Sequence, residues 1–175
     1  MGEKLDCIAF HEAGHAVAHI LAGIPFKYVT IKEEKEKDEL GYRSLGQVVN
    51  ENPLTPEEWE KHSILDPIEF STFFKDDFTK LAGLVAEMIY RHRFNYKAAK
   101  GDFRQWVGTS LNLIPEHLNS RYIDFMLEYT FQVLQTKTNW SNITAVALEL
   151  VDEDKLSYKR VCEVKKHNRS NPVLE

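Results

Sequence analysis

The stretch Ile8-Ala9-Phe10-His11-Glu12-Ala13-Gly14-His15-Ala16-Val17 decides how this chain is read. Two histidines four residues apart lie one turn apart on the same face of a helix. Both imidazoles then reach one divalent ion, Zn2+ for this HExxH spacing, and Glu12 is placed to take a proton from water at that ion. Cys7, Ile8, Phe10, Val17, Ile20 and Leu21 surround the three with apolar side chains. A polar trio in such a helix needs a partner, because burying polar groups without one is costly. A metal ion supplies it. Mn2+, Fe2+ or Co2+ also suits two histidines and a carboxylate, and the motif favours zinc.

The spacing predicts a helix over Lys4 to Ala22, stopped by Gly23 and Pro25. Phe26 to Lys32 alternates and is β-branched, as a strand is, and offers an edge along which an extended peptide could pair. The charge run Glu33 to Glu39 is expected to be a solvated hairpin turn, and Ser44 to Val49 a second extended stretch. Thr55-Pro56-Glu57-Glu58 has the composition of a helix start. Further helices are expected over Phe70 to His92, Asp102 to Asn112, Pro115 to Lys137, Trp140 to Leu150 and Ser157 to Lys166, with an irregular link at Arg93 to Gly101 and a frayed tail from His167. The fold class is therefore mainly α (α+β): a helical, zincin-like domain with a small antiparallel β-hairpin sheet beside the HExxH helix. One unit is expected over 1–175, with a metal-site core at 1–114, closing helices at 115–166 and a tail at 167–175.

Composition narrows the function. The chain has 175 residues, 43% of them hydrophobic and 11% aromatic, which suits a folded domain. A formal charge of −5 gives no electrostatic case for nucleic acid. Cys7 and Cys162 make no disulfide framework, so a reducing, cytoplasmic setting is expected, and no cysteine-rich zinc site is available. The apolar stretch Cys7 to Ile24 is broken by His11, Glu12, His15 and His19, which makes it a poor membrane span; no secretory leader is read at the N-terminus, and no direct membrane insertion is expected. No GxxxxGK[ST] loop points to ATP hydrolysis.

A catalytic zinc site usually takes three protein ligands and leaves one position for water. His19, on the same straight helix, lies about 12 Å from His11 by helical rise and is out of reach. His62, His92, His117 and His167 stand in no motif. Two carboxylates compete: Glu87, an acid inside the apolar helix Leu81 to Tyr90, and Asp102, at the end of the small-residue run Ala98-Ala99-Lys100-Gly101, where a plain helix cap is the alternative. Spacing leaves both open.

The ordered segments resemble the peptidase domain of the FtsH-type, membrane-bound ATP-dependent zinc proteases. Ala9-Phe10-His11-Glu12-Ala13-Gly14-His15-Ala16 is similar to that family's AxHEAGHA signature. Ile24-Pro25, the strand ending Val29-Thr30-Ile31 and Leu40-Gly41-Tyr42 resemble its post-motif hairpin. Leu81 to Glu87 resembles its GGRxAE helix, with Ala82-Gly83-Leu84 replacing Gly-Gly-Arg, and Ala98 to Asp102 its GASxD loop. The late segment Ala145 to Leu150 with Lys155-Leu156 resembles its closing helix.

The resemblance implies metal ligation by His11, His15 and Asp102, general-base action by Glu12, and support of the site by Glu87, which is otherwise the alternative ligand. It also implies a zinc-dependent endopeptidase acting on polypeptide substrates, with a homo-oligomer or a separate ATPase as partner. The family's ATPase module and membrane anchor have no counterpart in this sequence, so hydrolysis is expected to be ATP-independent. Two other readings stand beside it. A deformylase needs a nearby cysteine ligand and a Gly-rich oxyanion segment, which neither Cys7 nor Cys162 provides. A peptidase-like module that binds metal in a binding or regulatory role, without turnover, is the second.

Overall fold

The computed structural model describes residues 3–32, 46–51, 67–94, 96–109 and 114–170. In chain order these form α1 (Glu3–Ala22), β1 (Phe26–Thr30), β2 (Gln47–Asn50), α2 (Pro67–Arg91), α3 (Tyr96–Thr109), a 3-10 turn (Glu116–Leu118), α4 (Asn119–Leu134), α5 (Lys137–Glu153), β3 (Lys155–Ser157) and α6 (Tyr158–Ser170). The chain is mainly helical with one small antiparallel sheet, the class expected from the sequence. The expected hairpin turn at Glu33 to Glu39, Leu40-Gly41-Tyr42 and the helix start at Thr55-Pro56 lie outside the described residues.

Helix α1 is the central element. It packs against α2, α5 and α6 and also touches β1 and β2. Its inner face is small: Ala9, Ala13, Ala16, Val17 and Ala18 are all buried. Gly14 is required by this packing, since a Cβ there would lie 2.5 Å from the Ala86 Cβ and 2.6 Å from the Ala82 carbonyl oxygen on α2. The small residues within the motif therefore bring the backbones of α1 and α2 close enough for side chains of both helices to meet. On another face of α1, Phe10 stacks on Tyr90 at 4.1 Å between ring centroids and on Trp140 at 5.5 Å, joining α1, α2 and α5. One apolar cluster includes Val17, Val29, Leu81, Trp106, Met126 and Leu150, so it draws on every long helix and on β1. Each fully buried side chain of this size contributes about 1.5–3 kcal/mol.

Helix α1 ends where the sequence says it should. Gly23 adopts φ 73, and the Ile24 amide donates to the His19 carbonyl at 2.9 Å. The chain then enters β1, which pairs with β2 (Val29 opposite Val48) and, on its other side, with β3 (Val29 opposite Leu156). Thr30 Oγ1 and the Ile31 amide both donate to the Asp154 carbonyl, at 2.9 and 3.0 Å, which fixes the turn leading into β3. The strand order β2-β1-β3 puts β1 in the middle, so the substrate-pairing edge expected at Phe26 to Lys32 is already taken on both sides.

Four other expectations are corrected. The link expected at Arg93 to Gly101 is already helical from Tyr96, so Asp102 is neither in a loop nor a helix cap but inside α3. The expected helix over Pro115 to Lys137 is divided: a 3-10 turn precedes α4, and Thr136 starts α5, its side chain accepting from the Asn139 amide. Ser157, expected to open the last helix, instead ends a strand, Lys155–Ser157, that pairs with β1. Finally, α6 runs on to Ser170 rather than fraying at His167.

Candidate metal centre

Three elements converge. His11 and His15 project from α1, Asp102 from α3, and α2 closes the floor beneath the two rings. His11 Nε2 lies 2.9 Å and His15 Nε2 3.5 Å from Asp102 Oδ2, and the two Nε2 atoms are 3.2 Å apart. Ligands about 2.0–2.1 Å from a tetrahedral zinc are separated by about 3.3 Å, close to these spacings. Among the described residues this trio is the one His/Cys/Asp/Glu group with the geometry to hold a metal ion.

The hydrogen bonds behind the rings decide what the three atoms can do. His15 Nδ1 lies 2.7 Å from the Thr79 carbonyl oxygen on α2. A carbonyl only accepts, so Nδ1 donates, and neutral His15 presents a lone pair at Nε2. His11 Nδ1 lies 3.5 Å from Glu87 Oε2, which directs its N–H the same way. With both rings neutral, two nitrogen lone pairs and a carboxylate oxygen therefore point at one another across short gaps. Three acceptors facing inward are repulsive unless a ring proton or a metal cation joins them. The donor set of two imidazoles and one carboxylate fits Zn2+.

The electrostatics agree. Burial alone pushes the His11 imidazole down, but Asp102, helped by Glu87 and Glu12, overrides this and holds it well above the ordinary histidine range. His15 is likewise raised, with Asp102 outweighing burial and the repulsion of His11. Burial pushes the Asp102 carboxyl up, yet the two imidazoles beside it bring it well below the usual carboxylate range. The pocket thus favours positive charge between the three side chains.

Glu12 follows His11 on α1, and its side chain is buried, with Oε2 lacking a hydrogen-bond partner. Burial raises its pKa, opposed by His11 and His15. Gly46, just before β2, presses against it: a Cβ there would be 2.7 Å from Glu12 Oε1 and Cγ. Gly83 on α2 makes the closest approach of all, because an added Cβ would overlap His15 Nε2, 2.5 Å from its Cδ2 and 2.7 Å from His11 Cδ2. The two rings lie directly on a bare stretch of α2 backbone.

Of the sequence candidates, His11, His15 and Asp102 come together with Glu12 beside them, and Glu87 stands behind His11 at its outer nitrogen. His19 is away from the trio. It is buried edge-on to Phe26 at 5.7 Å, with its pKa lowered to about 4 by burial and then by the charge of His15. Sequence reasoning missed Thr79, Gly83 and Gly46. Gly83 left a signal, a glycine in an otherwise apolar helix, whereas Thr79 acts through its carbonyl and leaves none. No helix among the described residues is long and apolar enough to cross a membrane. Comparison with protein-family models gives no match, and comparison with curated proteins gives no relative, so the chemistry rests on the site's own geometry.

Proposed function

We propose that this chain is a zinc-dependent endopeptidase that cleaves unstructured polypeptide. The observation that carries the reading is the meeting of His11 Nε2, His15 Nε2 and Asp102 Oδ2 within 3.5 Å, all three able to ligate once the rings are neutral, beside the buried carboxylate of Glu12. His11, His15 and Asp102 hold the ion. Zn2+, when bound, supplies Lewis acidity toward water and toward a peptide carbonyl. Glu12 takes the proton of the attacking water and passes it to the departing amine, a role that a buried carboxylate of raised pKa suits. Thr79 and Glu87 keep both rings in the tautomer that offers Nε2. An extended substrate pairs along β2, at the border of the described sheet, where Gly46 abuts Glu12.

The resemblance to FtsH-type peptidase domains supports the same assignment, since the segments carrying it are those that furnish α1, the floor of α2 and Asp102. The experiment is zinc stoichiometry followed by cleavage of unfolded casein, with and without chelator, for the parent and for Glu12→Gln. One zinc per chain and chelator-sensitive cleavage are expected, with cleavage lost and zinc retained in Glu12→Gln; general-base removal costs about 10²–10⁴ in rate. Zinc bound with no cleavage of any unstructured substrate would overturn the enzyme reading in favour of a metal-binding module.

A further inference from the structure

Behind the metal centre, the contact between Glu87 and His11 extends to two residues that the proposed chemistry does not use, Arg91 and Cys7. Cys7 and His11 are one turn apart on α1, and Glu87 and Arg91 one turn apart on α2. Across the helix interface, Glu87 Oε2 is 3.5 Å from His11 Nδ1. Arg91 Nη1 donates to Glu87 Oε1 at 3.2 Å and to Cys7 Sγ at 3.5 Å.

From this closed frame we propose that Arg91 is a positioning residue for the metal centre. It holds Glu87 so that Oε2 faces His11 Nδ1, and thereby fixes which His11 nitrogen is turned toward His15 and Asp102. The inference rests on the metal-centre reading above. Glu87 is a buried acid whose two oxygens face different groups: the guanidinium takes Oε1 and the imidazole takes Oε2. The contact to Cys7 ties the guanidinium to α1 one turn before His11, so Arg91 spans both helices rather than only its own. Without the guanidinium, a buried carboxylate loses the charge that compensates it and is released to turn away from the ring. Groups that orient a metal-binding histidine from behind typically change metal affinity about 10–100-fold.

The test measures zinc affinity of the full chain by competition with a chromophoric chelator, with the visible spectrum of the cobalt-loaded protein as a second readout. Arg91→Gln is expected to weaken zinc binding about 10–100-fold and to alter the cobalt spectrum. Arg91→Lys, which retains the charge, restores most of both. Because Arg91 acts through Glu87, adding Arg91→Gln to Glu87→Gln produces no further loss. That comparison also serves if Arg91→Gln alone does not fold, since the double variant leaves no orphan charge buried. Parent-like zinc affinity in Arg91→Gln, or an equal loss in the Glu87→Gln background, would overturn the proposal. A parent chain that binds no zinc is a separate result, which removes the metal-centre reading and this one with it.

Discussion

Gly83→Ala probes the packing beneath the proposed metal centre. One methyl group added to α2 would overlap His15 Nε2 and approach Cδ2 of His15 and His11 to 2.5 and 2.7 Å. Restoring ordinary contact at the first Cδ2 alone requires a shift of about 0.9 Å, whereas metal–ligand distances tolerate only about 0.2 Å. Losing a group that merely orients a ligand costs about 10–100-fold in affinity, so displacing the ligand rings themselves is expected to cost at least about 100-fold. The helix itself gains about 1 kcal/mol from replacing glycine by alanine, which offsets part of the roughly 1–3 kcal/mol cost of overpacking.

The assay is thermal unfolding with and without zinc. At a zinc concentration one hundred times the parent Kd, binding stabilises the parent by about 2.7 kcal/mol, and a variant one hundred times weaker by only about 0.4 kcal/mol. For a chain of this size those figures correspond to Tm rises of about 5–11 °C and about 1–2 °C. Metal-free Gly83→Ala should retain the helical content of the parent. A zinc-induced Tm rise in Gly83→Ala equal to the parent's would refute the claim that the rings rest on that backbone and hold the ion there.

Gly46→Ala pushes a methyl group against Glu12 rather than against the metal ligands, so cleavage of unfolded casein should fall at least about 10-fold while zinc affinity stays at the parent value; a parallel loss of both would contradict the separation of base from ligands. His19 supplies a pH dependence. Its pKa is lowered from 6.5 to about 4 in the folded chain, so the unfolded chain binds more protons between those values. The stability it contributes, about 3 kcal/mol, is complete above pH 6.5 and is lost as pH falls toward 4. Proton NMR of the ring should show His19 still neutral at pH 5, and a midpoint near 6.5 would disprove its burial.

The sequence was most legible where local chemistry and tertiary packing agree. Helix α1 was predicted to within a residue because its apolar spacing, its small inner face and the Gly23 stop all act locally. The pairing of His11 with His15 follows from helix geometry alone. Asp102 was harder: Gly101 looked like the end of a loop, yet Ala98, Ala99 and Lys100 are good helix formers, and one glycine costs only about 1 kcal/mol inside a helix. β3 has three residues, too few to show alternation, and exists because Thr30 and Ile31 bind the Asp154 carbonyl beside it. The occupied edges of β1 follow from that strand. Thr79 bears on the site through its carbonyl, which no side-chain pattern encodes, and Gly83 left only the sign of a glycine in an apolar helix.

The most direct measurement is anomalous scattering at the zinc edge from a crystal of the zinc-loaded chain. A single anomalous peak bonded to Nε2 of His11, Nε2 of His15 and a carboxylate oxygen of Asp102, each at about 2.0–2.2 Å, is the predicted result. A peak bonded elsewhere, or one with both imidazoles but Glu87 in place of Asp102, would contradict it.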